Sequence, residues 1–149
     1  MKRHFIVASL AISACLLSCG GNAKAEANNE NEGTTLSQTT NSSESVYKVI
    51  NGKIIPINGK PTIVDFSASW CPPCQKLKPI FAKLEEEFKD RINFVTIDVD
   101  NNPELSQAYS VQSIPMLVFL NKDGEIQNTI VGFRDRDQLL AAINTYFGF

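Results

Sequence analysis

Histidine is almost absent from this chain, occurring once, at His4, in 149 residues. A protease-type cysteine needs an imidazole partner, and zinc usually gathers four sulfur or nitrogen ligands. With its one histidine at the extreme N-terminus, the rest of the chain can furnish neither. Only a metal site shared between chains, or two-coordinate Cu(I), would survive, so no metal site is expected. An excess of basic charge is also lacking. Lys and Arg number 14 against 16 Asp and Glu, for a net charge of −2, and a dedicated nucleic-acid binder would normally show a basic face. The apolar run Phe5 to Leu17 falls short of the roughly 20 residues that span a bilayer. With 43% hydrophobic and 20% charged residues, the composition is that of an ordinary soluble globule, with room for one domain and an appendage.

Four cysteines are present, in two unrelated groups: Cys15 and Cys19 near the N-terminus, Cys71 and Cys74 much further on. Met1-Lys2-Arg3-His4 followed by the apolar run has the order of a secretory signal, a charged stretch and then a short hydrophobic one. The run ends in Leu16-Leu17-Ser18-Cys19-Gly20, which resembles a bacterial lipobox and makes Cys19 the expected lipidated N-terminus. Cys15 is a second fit, but it would leave Leu16 and Leu17 at the head of a segment that should be polar. Residues 1–18 are therefore read as a lipoprotein-type signal peptide and 19–45 as a flexible tether. Between 20 and 45, Leu36 is the only large aliphatic residue, too little apolar surface to offset the entropy of ordering. The expected location is the periplasmic side of a bacterial membrane, on a lipid anchor. Disulfides persist there, so a catalyst of their exchange would have substrates.

From residue 46 to 149 the pattern is that of one α/β domain. Val46–Ile50 and Lys53–Ile57 read as extended pieces joined by Asn51-Gly52, the strongest short hairpin signal. Thr62–Ser67 reads as a buried strand. Leu77, Ile80, Phe81, Leu84 and Phe88 recur at spacings of three and four, giving one apolar helix face. Pro79 within that helix is expected to kink it. Ile92–Val99 is a strand, and Pro103 opens a short helix after Asn101 and Asn102 as capping residues. Met116–Leu120 is continuously apolar, a strand buried on both faces. A turn at Asn121–Gly124 leads to the strand Glu125–Val131. A last helix starts near Asp135, with Gln138 placed for a capping box, and buries Leu139, Leu140, Ile143 and Phe147. Strands alternating with helices imply a mixed central sheet with helices on both faces, preceded by an extended hairpin.

The run Val64-Asp65-Phe66-Ser67-Ala68-Ser69-Trp70-Cys71-Pro72-Pro73-Cys74 resembles the active-site segment of the thioredoxin family. Pro79, Ile114-Pro115, Asp123-Gly124 and Val131-Gly132 match that family too, so the resemblance extends over the domain from about residue 46. It implies the thioredoxin fold, a redox-active Cys71–Cys74 disulfide with no other cofactor, and thiol–disulfide exchange on protein substrates.

The residues carry a physical argument of their own. Exchange needs a thiolate, and Cys71 stands where a strand ends and a helix begins, so the helix's positive end favours its ionised form. Pro72 and Pro73 have no N–H to offer, which makes the N–H of Cys74 the first donor available to the Cys71 sulfur. Cys71 is thus expected to be the exposed attacking thiol and Cys74 the shielded resolving one. Asp65 interrupts an apolar strand, where a carboxylate is costly to bury. The resemblance implies that it serves the resolving thiol as acid and base. The family often has a lysine nearby on the next strand; here Thr96 takes that place. By resemblance, Ile114-Pro115 is a cis bond whose backbone meets an extended substrate. Trp70 is read as a platform beside the nucleophile, and Gly132 as a point of close approach for substrate backbone.

The direction of exchange leans toward reduction. Dedicated oxidants of this superfamily usually carry a helical insertion and a histidine between the cysteines, and this chain has neither. Tethered reductants of the cytochrome-maturation type show a similar hairpin and Trp-Cys-x-x-Cys, but also a central insertion for which there is no room here. The expected partners are disulfide-containing proteins, a transmembrane thiol electron donor, and the membrane through its lipid anchor. No nucleic acid partner and a monomeric state are expected. The alternative is a non-catalytic thioredoxin-fold binding module with a structural disulfide.

Overall fold

In the computed structural model, which describes residues 45–149, Asn51 and Gly52 take positive φ values of 50° and 72°. That is the geometry of a two-residue hairpin turn. It joins β1 (Tyr47–Ile50) to β2 (Lys53–Pro56) in antiparallel register, with Ile50 opposite Lys53. The hairpin forms a two-stranded sheet of its own. The export signal expected over 1–18, the tether over 19–45 apart from Ser45, and both Cys15 and Cys19 lie outside the described residues.

The central sheet has four strands in the order β4-β3-β5-β6: β3 (Thr62–Ser67), β4 (Asn93–Asp98), β5 (Met116–Leu120) and β6 (Ile126–Val131). β3 runs parallel to β4 and antiparallel to β5, which pairs antiparallel with β6. The parallel pair needs a crossover, and α1 (Pro72–Phe88) supplies it. α2 (Pro103–Ala108) and α3 (Arg136–Phe147) complete the fold.

Alternation along the strands divides the core in two. On one face Ile63, Leu117 and Phe119 pack against Leu77, Phe81, Leu84 and Phe88 of α1 and Leu139, Ala142 and Ile143 of α3. On the other, Val64, Phe66, Val95, Ile97, Met116, Val118 and Leu120 pack against Leu105 of α2 and Ile54 of β2. The hairpin therefore closes the second face together with α2. Tyr109 fastens it, its hydroxyl accepting the Ile54 N–H at 2.9 Å. Gly124, in the turn before β6, has φ +82°, and a Cβ there would stand 2.8 Å from the Ile54 carbonyl oxygen. Both the backbone and the space demand glycine at that position.

α1 runs from Pro72 to Phe88 with Pro79 inside it. Two expectations need correction. Asn102 stands at the N-cap of α2 but makes no capping bond; its amide instead donates to the Asp98 carbonyl at 2.8 Å. In α3 the buried residues are Leu139, Ala142 and Ile143, while Leu140 and Phe147 are only half-buried at the edge of that cluster. The capping box is present as expected, with Asp135 accepting from Gln138 N and Gln138 accepting from Asp135 N.

Candidate active site

β3 carries the chain out of the sheet at Ser67, and the next turn closes with Cys71 N donating to the Ala68 carbonyl at 3.3 Å. Cys71 is the N-cap of α1, and Pro72 and Pro73 open the helix. Since neither proline has an N–H, the first orphan donor of the helix is Cys74 N, which points at Cys71 Sγ from 3.3 Å. The two cysteines are joined as a disulfide, their Cα atoms 5.3 Å apart. Gln75 braces the loop ahead of it by donating to the Ser69 carbonyl at 2.7 Å.

The expected contrast between an exposed Cys71 and a shielded Cys74 is not found in this disulfide form. Cys71 is 3% exposed and Cys74 2%. The cover comes from far along the chain. Ile114, with Val99, packs against the cluster that Ala68 forms with the two cysteines, and the Ile114 carbonyl oxygen lies 3.8 Å from Cys71 Sγ. Neither sulfur of a disulfide bears a proton, so this is a packing contact. The Ile114-Pro115 bond is cis, and Pro115 is buried. Gly132 N donates to the Pro115 carbonyl at 2.7 Å, which ties the end of β6 to the same loop.

Trp70 is 63% exposed, yet its ring is held in place, since Nε1 donates to Asp100 Oδ2 at 2.7 Å. Asp98 in turn orders that loop by accepting from the backbone N–H groups of Asp100 and Asn101. Asp100 was not singled out in the sequence, where it reads as one polar residue in the run Asp98–Asn102. Gly132 has φ +89°, so its backbone conformation already requires glycine, whatever approaches it. Phe133, 39% exposed, adds apolar surface beside Gly132 and was likewise not anticipated.

Asp65 lies on β3 between Thr96 of β4 and Leu117 of β5 in register. Alternation places its side chain on the face of Ile63, beneath α1 and α3. It is 3% exposed, and among the described residues its Oδ1 has no hydrogen-bond partner. Burial without a compensating cation disfavours the ionised form and raises its pKa from 3.8 to about 7. The register also puts Thr96 opposite Asp65, so no lysine offsets that burial from β4. Among the described residues no group of three or more His, Cys, Asp or Glu side chains could hold a metal ion.

A disulfide at the mouth of a helix, covered by a cis-proline loop on a mixed sheet, defines the chain as a thiol–disulfide oxidoreductase. The family model for thioredoxin matches residues 44–145. Thioredoxin of Borreliella burgdorferi is 40% identical over 90 residues, covering 60% of this chain and 76% of that protein. Thioredoxin of Bacillus subtilis is 42% identical over 84 residues, covering 56% of this chain and 80% of that protein. A chloroplastic thioredoxin-like protein of Arabidopsis thaliana is 40% identical over 90 residues, with 58% of this chain and 34% of that protein covered. This chain belongs to the thioredoxin family.

Proposed function

We propose that the protein reduces disulfides of protein substrates outside the cytoplasm, through its Cys71-Pro72-Pro73-Cys74 pair. One observation carries the reading: the Cys74 N–H is aimed at Cys71 Sγ at the start of α1. That donor and the helix's positive end stabilise a thiolate on Cys71 ahead of one on Cys74. The Cys71 thiolate attacks a substrate disulfide, a mixed disulfide forms, and one substrate sulfur leaves as a thiolate. Cys74 then attacks Cys71 Sγ, passing its proton to the Asp65 carboxylate, and the second substrate sulfur leaves. The substrate gains two electrons and the pair ends as the disulfide. A carboxyl titrating near 7 suits this transfer at neutral pH. Trp70, Ile114, Pro115 and Gly132 form the surface over which the substrate segment passes.

An external dithiol must return the electrons, and a transmembrane thiol carrier is the class of donor that reaches an exported domain. Lipidation at Cys19 would hold the protein at the membrane beside such a donor, where it would serve redox homeostasis of exported proteins. The burial of Cys71 favours a second reading, a binding module with a structural disulfide. Insulin reduction with a dithiol donor, together with the reduction potential, separates the two. Turnover and a potential near thioredoxin's roughly −270 mV support the reductase; a potential near about −120 mV makes it an oxidant. No turnover, with a potential below about −300 mV, marks the disulfide as structural.

A further inference from the structure

The loop after β6 carries a cation that the exchange chemistry does not use. Arg134 folds back over its own loop, with Nη1 donating to the Phe133 carbonyl at 2.7 Å. The same nitrogen would lie 3.8 Å from a Cβ on Gly132, so the guanidinium lies within van der Waals reach of that glycine. Gly132 is bonded to Pro115, and the neighbouring Ile114 covers Cys71 Sγ. The charge is therefore carried by the loop that Gly132 ties to the cis-proline segment over the disulfide. No ion pair among the described residues engages it: the pairs are Lys89–Glu86, Lys122–Asp123 and Arg136–Glu87. Asp135, next in the chain, is committed to capping α3. Arg136 is fastened to Glu87 by two contacts, at 2.8 and 3.0 Å, whereas Arg134 has donors to spare. A guanidinium carries five, in a fork that matches a carboxylate.

We propose that Arg134 is a specificity-determining residue that pairs with an acidic side chain next to the reactive cysteine of the substrate. This rests on the exchange reading above. The apolar surface of Ile114 and Phe133 accepts the chain flanking the substrate disulfide, and Arg134 at its edge selects for Asp or Glu there. The test uses two disulfide peptides that differ only in a Glu or a Gln beside the cysteine, with kcat/KM for each. For a partly exposed pair, the wild type should favour the Glu peptide by about two- to fivefold at low salt, and less as salt screens the pair. Arg134→Gln should bring the ratio close to one, Arg134→Glu should invert it, and Arg134→Lys should restore part of it. A wild-type ratio of one, or a ratio that ignores all three substitutions, would overturn the proposal. So would a fixed ratio accompanied by a shifted Cys71–Cys74 potential, because Arg134 would then act on the thiolate. If the wild type reduces neither peptide, both this proposal and the exchange reading fail.

Discussion

Replacing Asp65 by Asn retains the shape of a buried side chain and removes a group that ionises at a cost. With the folded pKa near 7 against an ordinary 3.8, ionising Asp65 inside the protein costs about 4 kcal/mol at and above pH 7. The contribution of a carboxyl raised in this way is fully present below its unfolded pKa. It drains away as pH climbs from about 4 through about 7, and the penalty is then constant. Asn escapes that loss but buries an amide whose partners are incomplete, a cost of about 1–3 kcal/mol. The variant should therefore be more stable than wild type by about 1–3 kcal/mol at pH 8. At pH 4 or below it should be equal or less stable. Urea unfolding of the oxidised proteins at pH 4, 6 and 8 reads this directly, and stopped-flow turnover reads the resolving step. Resolution should slow by about 100-fold or more, since the base is gone, while the first attack by Cys71 changes little. A pH-independent stability difference would mean that Asp65 ionises without penalty, and an unchanged resolving rate would remove it from the mechanism.

Other substitutions probe separate parts of the account. Cys19→Ser should shift the protein from the membrane to the soluble fraction while the isolated domain remains active; continued membrane partition would transfer the anchor to Cys15 or abolish it. Pro72→His restores a backbone donor at the first position of α1 and adds partial positive charge beside Cys71. Its potential should become less negative by about 30 mV for each tenfold gain in the stability of the reduced form, and an unchanged or more negative value would refute the tuning. Gly124→Ala puts a Cβ 2.8 Å from the Ile54 carbonyl at φ +82°. It should cost about 2 kcal/mol or more in urea unfolding, and a neutral result would show that the hairpin can move away.

Features set by near neighbours were legible in the sequence. Asn51-Gly52 closed the hairpin, Asp135 and Gln138 formed their reciprocal cap, and β3 and β5 have the ends that their apolar runs mark. The donor to Cys71 followed from arithmetic on backbone N–H groups, because two prolines leave Cys74 as the first one available. Features that depend on distant segments were not legible. The contact of the Ile114 carbonyl with Cys71 Sγ spans 43 positions; no local pattern records that approach, and only the family resemblance put Ile114-Pro115 at the site. Asn102 is an ordinary capping residue by type, but its amide turns to the Asp98 carbonyl four positions back, a competing local bond that residue type alone does not reveal. Asp100 enters the site through its bond to Trp70, 30 positions away, which its own sequence surroundings do not announce. Asp65 was legible because a carboxyl in an apolar strand is itself an anomaly.

The division of labour between the two sulfurs is the claim on which the rest depends. Cys74→Ser and Cys71→Ser proteins are each incubated, reduced, with a disulfide-containing substrate, quenched with acid and analysed by mass spectrometry. Cys74→Ser should accumulate a mixed disulfide on Cys71, since no thiol remains to resolve it, and Cys71→Ser should yield none. An adduct carried by Cys74 in the Cys71→Ser protein, or no adduct in either, would contradict the assignment of Cys71 as the attacking thiol.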